Sequence, residues 1–168
     1  MSMELMISLS AMLISLVSVV VSVAIYILGI NRDRKQATLD AFNVLQEQVF
    51  DKLNQYTMAE INEVCEGWQN RTRKKDKTQE ELEHEDYCIS QYRLLSGYLA
   101  RIEHFALGVN TGIYDAKIAE RAGTAYLRML YRQKLKPLIQ IKNESGRSGM
   151  EYYAEFRKLV EAIEKYEK

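Results

Sequence analysis

The sequence predicts an all-α protein: one N-terminal transmembrane helix continuing into a helical-bundle cytoplasmic domain. Three observations carry that fold class. Residues 5–30 hold no charged side chain. The rest of the chain repeats apolar residues at three- and four-residue steps, the period of a helix with one buried face. Strand-like alternation is nearly absent, and proline occurs once.

As a helix, residues 5–30 reach roughly 39 Å, more than the hydrocarbon core of about 30 Å. No water there satisfies backbone amides and carbonyls, so a single span must be helical. The run is too long for the apolar part of a leader, and only Glu4 precedes it as a charge, so a retained anchor is expected. Arg32, Asp33, Arg34 and Lys35 follow it, and their basic excess favours the cytoplasmic side, with the short N-terminus outside. Residues 1–30 are thus the transmembrane unit and residues 31–168 a helical sensor and oligomerisation domain. In heptad register, one seam of the span carries Ser8, Ser15, Ser22 and Gly29, and the second carries Glu4, Ala11, Ser18 and Ile25. Leu9, Leu13, Leu16, Val17, Val20, Val23 and Ile27 lie off these seams. Small residues at this spacing let helices approach closely, and a 3.5-residue repeat keeps them facing a left-handed bundle axis. Two readings stay open: a packed helix oligomer, or a narrow pore lined by Ser8, Ala11, Ser15, Ser18 and Ser22 with Glu4 at its outer mouth.

The next helix covers residues 34–56, with Leu39, Phe42, Leu45, Val49, Leu53 and Tyr56 on its apolar face. Thr57-Met58-Ala59-Glu60 has the form of a capping box that restarts or bends it. Ile61, Val64, Cys65 and Trp68 form the following stripe. Residues 71–77 read as a charged loop, and Thr78-Gln79-Glu80-Glu81 as a second capping box. A helix over 79–107 then buries Leu82, Ile89, Tyr92, Leu95, Leu99, Ile102 and Phe105. Residues 108–115 hold two glycines and an asparagine, which marks a turn, and Asp115 suits the next N-cap. That helix places Ile118, Ala122, Tyr126, Met129 and Leu130 inward, until Pro137 kinks or ends it. Residues 143–149 read as a polar connection. A last helix over 150–166 buries Tyr153, Phe156, Leu159, Val160 and Ile163.

Formal net charge is zero, so no bulk field draws the chain to nucleic acid. The two cysteines, Cys65 and Cys88, suit buried free thiols in a cytoplasmic domain. His84 and Cys88 stand four apart, but no second pair completes a metal site. His104, beside Glu103 and Arg101, reads as a surface or interface histidine rather than a general base. Phosphate-loop, nucleophile and metalloprotease motifs are absent, so neither catalysis nor a cofactor is expected. Binding has more support. Lys117, Arg121, Arg128, Arg132 and Lys136 recur on one helical face, with Tyr126 and Tyr131 nearby. Such cations suit phosphate, and such rings stack on bases. The alternative is a solvated basic face paired with neighbouring acids. Arg71, Arg73, Lys74, Lys75 and Lys77 form a second basic cluster. The turn at Gly108–Gly112 is a weak third candidate for an anion.

The stretches beginning at Arg34 (RKQATL), Leu99 (LARIEHFALGV), Gly112 (GIYD) and Tyr131 (YRQKLKPL), together with residues 152–159, resemble a bacterial family. That family has one N-terminal membrane helix and a helical cytoplasmic domain of unknown function. Proteins of this build look like the membrane effectors of Hailong-type anti-phage defence operons. The resemblance implies an oligomeric channel, and the expectation drawn from it is a homotetramer in the bacterial inner membrane. Its cytoplasmic domain would sense a single-stranded oligodeoxyadenylate made by a partner nucleotidyltransferase, and that oligomer would hold the channel shut. The nucleotide-binding assignment to Lys117, Arg121, Arg128, Tyr131, Arg132 and Lys136 rests on the basic face alone. The rival expectation is a non-conducting, membrane-anchored module that recruits a cytoplasmic protein.

Overall fold

The computed structural model describes residues 3–71, 77–145 and 151–166, with the side chains of residues 4–11, 124, 125, 145 and 166 outside that description. Helix α1, Met3–Leu45, runs for 43 residues from the apolar segment into the domain without interruption. No helix breaker lies at the junction, where Asn31, Arg32, Asp33 and Arg34 are all helical. This is the one helix among the described residues long and apolar enough to cross a membrane, and nothing in the chain covers its most apolar window.

A π-helical segment, Gln46–Phe50, and a short α2, Asp51–Asn54, complete this arm. The chain then turns into α3, Met58–Asn70, through a complete capping box. The Thr57 hydroxyl accepts from the Glu60 amide at 3.2 Å, and the Thr57 amide donates to the Glu60 carboxylate at 2.7 Å. The same reciprocal pair at Thr78 and Glu81 opens α4, Gln79–Asn110. α4 therefore ends three residues beyond the expected boundary. Asp115 caps α5, Ala116–Leu130, by accepting from the Ile118 amide at 3.1 Å.

Pro137 does not end a helix. The chain widens into a π-helical segment, Tyr131–Leu135, and resumes as α6, Lys136–Ser145. Proline lacks an amide hydrogen and crowds the carbonyl four residues earlier, so a wider turn just before it relieves the clash. The last helix, α7, spans Ala154–Tyr166 rather than starting at residue 150. Tyr153 stands at φ 62°, a left-handed conformation that no α-helix accommodates. Among the described residues there is no strand, and the all-α class holds.

The bundle packs α3 on α4, α4 on α7 and α1 on α5, with α6 against α3. Phe42 is the hub where α1 meets the bundle. Its ring lies 5.6 Å from Phe50 and 6.0 Å from Phe105, both edge-on. The inward face of α5 is not the expected one. Ala119, Gly123, Leu127 and Leu130 are buried, whereas Ala122 is exposed and Met129 is 39% exposed. Gly123 explains the rotation, because the Phe42 ring fills the space a Cβ would need there. Leu82, expected in the core, is 45% exposed near the start of α4, while Cys88 and Tyr92 begin the buried face.

Candidate functional site

The basic residues of the sequence sort into two places. Lys117 and Arg121, on the first turns of α5, line a cleft of about 780 Å³ with Arg32, Arg34 and Lys35 of α1. Asp115 is the single carboxylate in that lining, against five cations. Leu28, from the apolar segment, forms one edge, and Asn31, Ala116 and Ile118 complete the wall.

This cleft exists because α1 and α5 are fastened together at its floor. Thr38 is fully buried, and its hydroxyl donates to the Arg34 carbonyl at 2.7 Å. The same hydroxyl accepts from the Asp115 backbone amide at 2.8 Å. The Asp115 carboxylate meets the Arg34 guanidinium at 3.5 Å while capping α5. Burial pushes the Asp115 carboxyl up, but the Ile118 amide, the Arg34 charge, the Lys117 amide and Lys35 outweigh it and hold it below its ordinary value. Lys117 and Arg121 have no ion-pair partner among the described residues.

The rest of the basic stripe does not reach this cleft. Arg132 pairs with Glu164 of α7 at 2.6 Å, and Arg128 is engaged rather than free. Tyr131 is half-buried, edge-on to Phe156 at 5.4 Å. With Lys136 it lines a second cleft of about 460 Å³, where Glu144, Glu151 and Arg157 leave little net charge and Tyr152 and Tyr153 add aromatic surface. The split has a physical cause. Arg121 and Arg128 stand seven residues, about 10 Å, apart along α5, so the stripe has already run past the cleft before the π-helical segment, whose wider turn shifts Arg132 and Lys136 further out of register. Arg32, Arg34 and Lys35 were legible only as a membrane flank, since nothing in the sequence brings them opposite α5.

In the span, α1 runs through Glu4, Ser8 and Ala11, whose side chains lie outside the described residues. Ser15, Ser18 and Ser22 are exposed. The Ser18 hydroxyl donates to the Ile14 carbonyl at 2.9 Å, and that of Ser22 to the Ser18 carbonyl at 2.8 Å. The Ser18 and Ser22 donors are thus satisfied within the helix, and their oxygens keep accepting capacity toward whatever faces them.

His84 and Cys88 do come together, at 3.6 Å, and Glu63 approaches the same Nε2 of His84 at 3.7 Å. A carboxylate that orients a catalytic base sits on the other ring nitrogen. Cys88 is fully buried, and burial raises its pKa, with Glu63 adding to the effect. Burial likewise pushes Cys65 up to about 11. Among the described residues, no group of three His, Cys, Asp or Glu side chains is arranged to hold a metal. In the second basic cluster, Arg71 lies 3.8 Å over the Trp68 ring and Lys77 pairs with Glu85, while Arg73, Lys74 and Lys75 lie outside the described residues. Gly112, at φ 77°, turns the chain between α4 and α5.

Compared with known proteins, the chain matches no curated protein and no solved structure. A family model does match it, over residues 12–163, from within the apolar segment to the last helix. The chain belongs to the family described as a domain of unknown function, DUF4760.

Proposed function

We propose that the protein is a homo-oligomeric membrane effector, a tetrameric ion channel whose state is set by a nucleotide oligomer on its cytoplasmic domain. The observation that carries this reading is the continuity of α1 across the membrane boundary, joined to its attachment to α5. One helix bears the serine seam and also the Arg34 and Thr38 contacts to the basic helix. A ligand that prefers one placement of α5 therefore biases the placement of the span. Such control requires unequal affinity for the open and closed arrangements.

In this reading Ser15, Ser18 and Ser22 line or close the pore below a ring of Glu4, with Ser8 and Ala11 between. The phosphates of the strand meet Arg128, Arg132 and Lys136, the part of the basic face beyond the α1 cleft, and Tyr131 stands beside them for a base. The signal is an oligodeoxyadenylate from a partner nucleotidyltransferase, as in Hailong-type defence, and the protein sits in the bacterial inner membrane with its C-terminal domain inside.

The test is ion flux from liposomes holding the full chain, with and without oligodeoxyadenylate. Flux that changes with the oligomer supports the reading. Ligand-insensitive flux, or none, from folded and inserted protein removes it. Ser15→Leu with Ser22→Leu should abolish or alter conductance while leaving the cytoplasmic domain folded. A membrane tether that recruits a partner would be indifferent to that change.

A further inference from the structure

We infer that the cleft between α1 and α5 is a binding site for the phosphate headgroup of one anionic phospholipid from the cytoplasmic leaflet. The inference rests on the membrane-spanning part of the proposed function and not on its nucleotide part.

Position comes first. Leu28 lies in the uncharged segment and Arg32 just beyond it, so the cleft opens where the hydrocarbon gives way to headgroups. Its ligand must tolerate an apolar edge and satisfy a strongly basic wall. Inorganic phosphate offers only the second of these, and a nucleotide base would have to reach Leu28 inside the uncharged segment.

Charge comes next. A basic flank on a single membrane helix attracts anionic lipid without holding a particular molecule. Here Lys117 and Arg121 arrive from a different helix, more than 80 residues later in the chain, and close the opposite wall. Arg34 is committed in part to Asp115, whereas Lys117 and Arg121 have no ion-pair partner among the described residues. Two-sided enclosure by guanidinium and ammonium groups favours a phosphate diester headgroup of net negative charge over a zwitterionic one, whose own cation would be repelled.

The consequence for the basic face is a division of labour. Lipid holds Lys117 and Arg121 at the membrane end, which leaves the strand Arg128, Arg132 and Lys136 farther along the chain.

The experiment is native mass spectrometry of the full chain in neutral detergent, titrated with phosphatidylglycerol or phosphatidylcholine. Wild type should retain phosphatidylglycerol in preference, and Lys117→Gln with Arg121→Gln should lower that retention by roughly tenfold or more. A charge-matched control, Lys52→Gln with Arg93→Gln, alters exposed residues away from the cleft and should retain lipid like wild type. Circular dichroism and the melting temperature establish that both variants fold. Equal retention of the two lipids by wild type overturns the inference, as does a cleft variant that behaves like the control. Displacement of phosphatidylglycerol by millimolar inorganic phosphate or by oligodeoxyadenylate would also overturn it, giving the cleft to a soluble anion. Failure of oligonucleotide-sensitive flux leaves the lipid result standing. Failure of the chain to insert in a bilayer removes both.

Discussion

Asp115 does three jobs with one side chain and one amide: it caps α5, pairs with Arg34 and donates to Thr38. Asp115→Ala should cost about 1–2 kcal/mol, the usual range for a lost N-cap, as measured by thermal unfolding of the full chain in detergent. The sign of the pH dependence follows from its environment. Its folded carboxyl is held below the unfolded value, so its contribution is complete above the ordinary aspartate range and disappears as pH falls through the folded value. Acidification should therefore narrow the stability gap between wild type and Asp115→Asn, which unfolding at stepped pH would reveal. Gly123 gives a second residue-scale expectation. Alanine ordinarily improves a helix interior by about 1 kcal/mol over glycine. Here the new Cβ meets a Phe42 ring already packed against Phe50 and Phe105, so the sign reverses. Gly123→Ala should destabilise by about 1–3 kcal/mol, and a melting temperature equal to or above wild type would contradict the packing described.

At the scale of elements, α1 is the connection on which the proposed control depends. Asp33→Pro, on an exposed stretch beyond the apolar run, should break the helix at a local cost of about 3 kcal/mol without preventing insertion. Oligonucleotide binding by the cytoplasmic domain should persist while flux stops responding. Retained ligand sensitivity in that variant would show that coupling bypasses the junction. Elements were also the scale most legible in the sequence. Both capping boxes, the Asp115 cap and the buried face of α7 followed from local side-chain chemistry and from periodicity. The inward face of α5 did not. Its core positions include Ala119 and Gly123, which carry little apolar signal, and their burial is decided by Phe42, some 80 residues away in sequence. Tyr153 escaped as well, because nothing in its residue type announces a positive φ. The basic stripe divides within α5, between Arg121 and Arg128, because only the first turns of that helix face α1.

For the whole molecule, the basic cleft was the part least open to sequence reasoning, since its two walls come from residues 32–35 and 117–121 and meet only through tertiary packing. Assembly makes its own prediction at this scale: native mass spectrometry in mild detergent should give a tetramer of the full chain, and a monomer at every concentration would exclude a shared pore. The 43 residues of α1 carry a mechanical corollary. An unbroken α-helix bends little, and this one is gripped near its inner end by Thr38 and Phe42, so in the proposed channel it would be a lever with a short arm in the domain and a long arm in its apolar segment. A tilt of about 5° applied at the grip sweeps the far end of a roughly 50 Å arm through about 4 Å, a large fraction of the roughly 8–10 Å spacing of packed helices.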